Sequence, residues 1–500
     1  MKRFLTLIVA CVAAISMWAI QVQNTAGSLS SLVDDTSITQ LTITGTLDAR
    51  DFKFIADRLN NLELLNMSNA QIVDYSNSKA PLFLSATSYE AKAIPTTALM
   101  GKKLRSVTLP KDLKKIDIAA FAGCEQLENI TLPASLEVIE PYAFSSCNKL
   151  RSITIPAGLK EMGEGAFSKC KSLKTASIAP SSPLSVAKDA FQDCSALSSV
   201  SLGANVDKIG PGAFAGCTAL HSVSIASGNN LTAIAEAAFA ASGVEEIDLT
   251  HCNNLRTIGM WAFANTPLKN VDLPASLESL GDGAFYYNLD LTQINLPEGI
   301  TSLSNYLLAG DNAIDMEQPV KDGVTIIGDY AFYNWDQIRD FTFPESIEYV
   351  GTKAMAGQTS LEIVTAHPTT VPELGDSVWA GVDQPSIPLK TDPTVAADYK
   401  AAEQWKEFTI QTTPPTSIDE NIAQSDLQVK AFFTGTVLNV TATTAIAKVS
   451  IFDVNGVLLA TTAPASEQAQ LNTANFSGKF YIVNVILANG NQRNFKLLRK

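Results

Sequence analysis

The chain of 500 residues contains only three histidines, His221, His251 and His367, and they are widely separated. It has no HExxH, GxSxG or Walker sequence, and none of its seven cysteines forms a CxxC pair. These absences leave little from which to build a nucleophilic triad, a zinc site or a phosphate-binding loop. We therefore predict that the protein is not an enzyme and uses no metal or other cofactor.

An excess of positive charge is also missing. The sequence has 36 lysines and arginines against 50 acidic residues, a formal net charge of −14 and a pI near 4.8. No basic stripe is available to neutralise phosphates, so nucleic acid is not expected as a partner.

Long apolar runs are absent except at the N terminus, where one follows a basic dipeptide and extends to about Ile20. This order is typical of an export signal, and we expect a signal peptide over residues 1–26, cleaved between Ala19 and Ala26. The residues before Cys11 are similar to a lipoprotein cleavage box, but the apolar run continues beyond it, which favours an ordinary leader cysteine. The mature protein then has no transmembrane span and is exported.

One unit recurs thirteen times, most legibly as Ala-Phe-x-x-Cys-x-x-Leu-x-x-Ile-x-Leu-Pro. The Phe position recurs every 22 to 25 residues, and an apolar residue stands five residues before it in every unit. The Phe positions are Leu99, Phe121, Phe144, Phe167, Phe191, Phe214, Phe239, Phe263, Phe285, Leu308, Phe332, Met355 and Trp379. A period of this length indicates a solenoid, because one unit cannot bury its own apolar face and must stack on its neighbours.

Within a unit, the alternation in Ile-x-Leu predicts a strand. Ile153 and Ile155 should point inward, whereas Ser152 and Thr154 should point outward. The Phe side chain should fill the space between successive turns of the solenoid.

Cysteine recurs three residues after the Phe position in five consecutive units. These cysteines are Cys124, Cys147, Cys170, Cys194 and Cys217. Stacked side chains in one column point in parallel, and later units have no sulfur there. This favours a small buried column over disulfide bonds.

The pattern over residues 94–380 resembles the BspA-like leucine-rich repeat family of bacterial surface proteins. The resemblance implies a leucine-rich repeat solenoid with a parallel β-sheet, an irregular convex side and about 13 repeats. We assign residues 27–93 to an N-terminal cap with atypical leucine-rich repeats. Residues 381–412 should form a C-terminal cap with a helix over Val395–Phe408, whose apolar face closes the last turn.

The period ends at a Thr-Pro-Pro-Thr-Ser linker, and residues 413–500 are predicted to contain this linker and a small β-sandwich. The segments Val449–Val457, Ser477–Val483 and Lys496–Lys500 look like the C-terminal sorting domain of type IX secretion. That resemblance implies a Bacteroidota cell whose outer-membrane secretion machinery recognises residues 418–500. The alternative is an ordinary terminal β-sandwich.

Candidate binding residues are concentrated on the turns around the Ala-Phe pair. The outward strand positions carry mostly small hydroxyls, which suit solvated strands and lack binding anchors. Aromatic residues instead flank the pair: Trp261, Tyr306 and Tyr330 precede it, whereas Tyr286, Tyr287, Tyr333 and Trp335 follow it. They are predicted to stack on sugars or to anchor a protein; the alternative is that the rings half-bury against neighbouring turns.

These features predict a secreted or cell-surface protein that works by binding. The family resemblance implies adhesion to a host extracellular or cell-surface protein, or to other cells. Two further hypotheses are an accessory protein that captures a glycan and a structural coat component without a discrete ligand.

Overall fold

The computed structural model describes residues 19–77, 83, 86–311, 320–412, 429–434, 436–453, 457–476, 480–488 and 492–499. The chain divides into two units, Met1–Thr412 and Thr413–Lys500. Most of the expected signal peptide, including Cys11, and the expected linker lie outside the described residues.

The first unit begins with three parallel strands, Ala19–Asn24, Gln40–Leu47 and Leu64–Ile72, and two helices, Leu29–Leu32 and Ala49–Arg58. The first strand pairs along its whole length with the second and buries Val22 and Asn24. The strand Ala19–Asn24 therefore pairs within the first unit, although it lies in the range predicted as the signal peptide.

The Ile-x-Leu strands form a long series of parallel pairs, which two strands of the region predicted as the C-terminal cap, Pro388–Thr391 and Thr409–Thr412, extend. They are Ser106–Thr108, Asn129–Ile130, Ser152–Ile155, Thr175–Ile178, Ser199–Leu202, Ser222–Ile225, Asn270–Asp272, Gln293–Asn295, Asp340–Phe343, Ile363–Ala366, Pro388–Thr391 and Thr409–Thr412. Ile153 and Ile155 are buried, whereas Ser152 and Thr154 are exposed, which confirms the predicted alternation.

The segments between these strands are more regular than predicted, because they contain a second series of parallel strands, which forms three sheets. Its strands are Ala93–Ile94, Lys115–Ile116, Val138–Ile139, Glu161–Met162, Leu184–Val186, Val206–Ile209, Ala233–Ile234, Thr257–Ile258, Ser279–Leu280, Ser302–Leu303, Ile326–Ile327, Tyr349–Val350 and Glu373–Leu374. Each carries the apolar residue that stands five before the Phe position, and all of these are buried except Leu374 in the last turn. The short strands Tyr75–Ser76 and Ser88–Tyr89 pair antiparallel.

The core between turns is a stack of phenylalanine rings. Eight rings, from Phe121 to Phe285, lie with successive centroids 5.0–5.6 Å apart and planes within 13° of parallel. Beside them, the five column cysteines are fully buried with free thiols. Each thiol lies 3.0–3.3 Å from a carbonyl oxygen of the preceding turn, so the predicted buried column is confirmed.

The C-terminal end of the solenoid contains a shorter helix than predicted. The α-helix covers only Ala396–Ala401, because Ala402 is extended, and a 3-10 turn follows at Trp405–Glu407. Another 3-10 turn lies at Gln384–Ser386. Trp405 is buried and its ring centroid lies 5.7 Å from that of Trp379, so an aromatic cluster covers the last turn.

In the described part of the second unit, six antiparallel strands have their own apolar core. The strands are Lys430–Thr434, Val437–Phe452, Leu458–Thr462, Ser466–Asn472, Phe480–Leu487 and Gln492–Leu498. The long second strand pairs with four of the others, with one register shift in each of three of these pairings, so all six are joined in one hydrogen-bonded sheet. Its buried residues include Leu438, Val440 and Ile451, which pack with Tyr481.

Candidate binding surface

Each Ala-Phe turn contains two residues with a left-handed backbone. At the residue before the pair, φ lies between +51° and +60° in all thirteen units, and at the residue two after the Phe position it lies between +53° and +82°. Trp261, Tyr306 and Tyr330 occupy the first position and Tyr287 occupies the second. A side chain with a Cβ pays about 1–2 kcal/mol for this conformation, so large rings are unexpected there.

Direct backbone hydrogen bonds hold consecutive turns together. The N–H of Phe263 donates to the carbonyl of Ala284 at 2.9 Å, and the N–H of Trp261 donates to that of Asp282 at 2.9 Å. Tyr306 makes the equivalent bond to Asp329 at 2.8 Å. The aromatic residues therefore sit on a fixed backbone in consecutive turns.

Six aromatic side chains emerge on these turns and form a surface that we call the aromatic ridge. Its members are Trp261, Tyr286, Tyr287, Tyr306, Tyr330 and Tyr333. Trp261, Tyr286, Tyr287 and Tyr306 are 39–49 % exposed, and the other two are half-buried.

The rings of the ridge stack along the solenoid axis. Tyr306 and Tyr330 lie face to face, with centroids 4.7 Å apart and planes 6° from parallel. Tyr286 meets Tyr306 edge-on at 6.3 Å, and the Lys353 ammonium lies 5.7 Å from the centroid of Tyr330. Tyr306 and Tyr330 therefore cover one face of each other, and Lys353 lies over Tyr330 as well.

Two further rings lie over glycines of the next turn. A Cβ placed on Gly283 would lie 2.4 Å from Trp261 Cδ1, and one placed on Gly310 would lie 2.8 Å from Tyr287 Cδ2. Glycine is therefore required where a ring crosses the following turn. An aromatic residue followed one unit later by glycine is the sequence signal that could have predicted this arrangement.

Trp335 was predicted to belong to this surface, and that prediction is wrong. Its side chain is fully buried, and its ring centroid lies 5.4 Å from that of Phe332. It stands three residues after the Phe position, in the column that cysteine occupies in earlier turns, and this register could have identified it as a core residue.

A polar column lies next to the ridge and was not predicted. Asp282, Asn305 and Asp329 each immediately precede the left-handed position, and their side-chain oxygens accept the N–H of the same position one turn later. These bonds are 3.2, 2.8 and 2.7 Å long. Partial burial, with Tyr330 and Asp329 nearby, raises the pKa of Tyr306 above its usual range.

The histidines form no catalytic arrangement among the described residues. His251 Nε2 lies 3.7 Å from Asp248 Oδ2, but both side chains are more than 60 % exposed. Within the described ranges, no cluster of three or more His, Cys, Asp or Glu side chains could hold a metal ion. No helix in this part of the chain has the length and apolarity needed to cross a membrane.

Stacked parallel coils, each closed by an Ala-Phe turn, define the fold as a leucine-rich repeat solenoid. The family model described as a BspA type leucine rich repeat region (6 copies) matches residues 92–220, 184–315 and 315–392, which together exceed half of the chain. The chain belongs to this family, whose members are cell-surface proteins, and the match indicates no catalytic family.

Several solved structures are similar to the chain. A leucine-rich repeat protein from Bacteroides ovatus is 21 % identical, with 67 % of this chain and 91 % of that protein covered and a TM-score of 0.49. A leucine rich cell surface protein from Faecalibacterium prausnitzii is 20 % identical, with 72 % and 85 % covered and a TM-score of 0.36. The T. pallidum leucine rich repeat protein is 29 % identical, with 35 % and 69 % covered and a TM-score of 0.26. No curated protein matches the chain significantly.

Proposed function

We propose that this protein is exported, remains at the cell surface or outside the cell, and binds another protein through the aromatic ridge without chemistry of its own. The observation that carries this proposal is the placement of large rings where the fold does not need them. At the left-handed position that Trp261 and two tyrosines of the ridge occupy, earlier turns place Ala119, Gly165, Asp189 and Gly212, with Tyr142 as the sole aromatic residue. Exposed rings that cost backbone energy suggest selection for contact with a partner.

The ring orientation favours a protein over a glycan. A sugar stacks on the open face of an aromatic ring, but Tyr306 and Tyr330 cover one face of each other, and Lys353 lies over Tyr330 as well. Ring edges and hydroxyls suit the mixed apolar and polar contacts of a protein interface.

The test compares the full chain with a ridge variant, Trp261→Ala, Tyr287→Ala and Tyr306→Ala, on immobilised extracellular matrix proteins and on a glycan array. Because an interface aromatic can contribute about 2 kcal/mol or more, we expect the variant to bind a matrix protein at least about 30-fold more weakly. The matched control changes Ser152, Thr154, Ser199 and Ser201 to alanine and should alter the affinity by less than about threefold.

Three outcomes would contradict the proposal. If the control variant with the four strand-face hydroxyls replaced loses binding and the ridge variant does not, the ligand binds on the strand face. Saturable binding to glycans alone would favour polysaccharide capture. Ordered surface deposition without any binding would favour a structural coat.

We further propose that residues 418–500 direct the protein through type IX secretion machinery in the outer membrane. The support is the sorting-like sequence together with a second unit that has its own apolar core. Deleting residues 418–500 should leave the solenoid folded and trapped in the periplasm, as measured by cell fractionation and protease resistance. Normal surface amounts of the truncated protein would show that this assignment is wrong.

A further inference from the structure

Charge is distributed very unevenly along the solenoid. Residues 92–220 contain 15 lysines and arginines and 11 acidic residues, whereas residues 221–412 contain 8 and 26. The first segment therefore has a net charge of +4 and the second one of −18. The whole aromatic ridge lies in the second, acidic segment.

Two carboxylates of the polar column lie beside the ridge. Asp282 and Asp329 are half-buried and close enough to Tyr306 for their charges to raise the pKa of that residue. One oxygen of each accepts a backbone N–H from the next turn, and the second oxygen of Asp282 also accepts from the side-chain amide of Asn305 at 3.2 Å. In the described part of the chain, neither carboxylate has a lysine, arginine or histidine within 4.0 Å.

The ridge already accepts one cation of the chain itself. The Lys353 ammonium lies over the ring of Tyr330 at 5.7 Å, at the end of the tyrosine stack. In the earlier turns, by contrast, Glu128 and Glu137 are each paired with two basic side chains. At the ridge, the carboxylates of Asp282 and Asp329 accept hydrogen bonds from amide groups and have no basic partner among the described residues.

We propose that the partner presents a cationic protein segment, rich in arginine or lysine, to the aromatic ridge. This inference rests on the proposed function and names the chemistry of its partner. The aliphatic part of an arginine or lysine packs along the ring edges, while its charged group reaches the carboxylates of Asp282 and Asp329. The net charge of the acidic segment attracts such a partner over a longer range.

The test uses nona-arginine as the probe, with nona-glutamate as its charge-reversed control, and follows fluorescence anisotropy with the full chain. The variant Asp282→Asn with Asp329→Asn should bind nona-arginine at least about tenfold more weakly. An amide fits this column, because Asn305 already occupies it and accepts the same backbone bond. The matched control, Asp248→Asn with Asp272→Asn, removes two exposed charges from the strand face and should weaken binding less than about twofold.

A variant that should strengthen nona-arginine binding tests the same surface and leaves the polar column unchanged. Lys353→Gln removes the cation at the end of the tyrosine stack and should tighten nona-arginine binding about two- to threefold. Equal losses of nona-arginine affinity in the Asp282/Asp329 variant and in the Asp248/Asp272 control would overturn the proposal, because binding would then depend on overall charge alone. Binding of nona-glutamate would overturn it as well.

The two proposals fail in different ways. If nona-arginine does not bind but the ridge variant still loses its affinity for a matrix protein, the partner is not cationic and the proposed function stands. If nona-arginine binds through the acidic pair but the ridge variant keeps its matrix protein, the rings are not the binding surface.

Discussion

Backbone conformation decides what each aromatic residue can do. Trp261 and Trp335 are both tryptophans close to an Ala-Phe pair, yet the first is 49 % exposed with φ of +53°, whereas the second is fully buried. Their positions relative to the Phe residue differ, and the register of the turn sends one ring outward and the other into the core.

Substitution of these two tryptophans should have opposite effects. Trp261→Gly should leave the urea midpoint unchanged or raise it, because the relief of about 1–2 kcal/mol of left-handed strain offsets the loss of the ring's contact with Gly283. Trp335→Ala should lower the free energy of unfolding by about 3–5 kcal/mol through loss of burial and creation of a cavity. Urea denaturation of both variants checks this, and a larger loss for Trp261→Gly would contradict the assigned burial.

Asp311 is a buried acid in the same column as the cysteines. It is fully buried, its Oδ1 accepts the N–H of Asn288 at 2.6 Å, and its Oδ2 has no hydrogen-bond partner among the described residues. Burial raises the pKa of Asp311 well above its usual range. The folded protein therefore retains a proton that the unfolded chain releases above about pH 3.9.

This difference makes Asp311 a source of pH-dependent instability. Because the folded state binds one more proton, the free energy of unfolding should fall as pH rises, by at most about 1.4 kcal/mol per pH unit. Asp311→Asn should remove this decrease, since Asn288 shows that an asparagine fits the column. Urea midpoints at pH 5 and pH 8 provide the measurement, with Asp340→Asn on the exposed strand face as the control; identical pH dependence in the wild type and Asp311→Asn would contradict the argument.

At the scale of elements, stability comes from contacts between consecutive turns. Phe214 lies between Phe191 and Phe239, with centroids 5.4 and 5.3 Å away. At the end of the array, Trp379 is also buried, and it packs against Trp405 and Phe408. The cap thus gives the last turn a neighbour that the repeat itself does not supply.

We therefore expect Phe214→Ala and Trp379→Ala to destabilise the solenoid comparably, each by about 3–5 kcal/mol. The terminal position of Trp379 in the repeat suggests a smaller loss, but its burial by the cap removes that distinction. Urea midpoints of the two variants, measured under one condition, test this. A loss below about 1 kcal/mol for Trp379→Ala would show that the cap does not protect the last turn.

The period of the sequence predicted the strand positions, but the cap helix was only partly predictable. The apolar pattern of the strands recurs in every unit, and each unit packs against the same kind of neighbour. The strand positions inferred from one unit are therefore checked by all the others. The segment Val395–Phe408 occurs once, and its apolar spacing fits a continuous helix. The structure breaks that helix at Ala402, which places Trp405 against Trp379.

At the scale of the whole molecule, the charge asymmetry should determine how the protein meets its partner. Opposite charges that attract at a distance are screened by salt, with a Debye length of about 10 Å at 0.1 M and about 3 Å at 1 M. The affinity for nona-arginine should therefore fall at least about tenfold between about 0.05 and 0.5 M NaCl. Titrations across this range check the prediction, and an affinity independent of salt would show that charge does not drive the association.

The sequence by itself determined the solenoid, because units that repeat their apolar residues at a fixed period can bury them only by stacking on one another. It also determined the inward and outward positions of each strand and the buried cysteine column. Only the tertiary structure decided which aromatic rings are exposed and that Tyr306 and Tyr330 stack on each other. Those properties depend on the left-handed turns and on the residue one unit later, such as Gly283 beneath Trp261, and such contacts between turns are set by stacking rather than by local sequence.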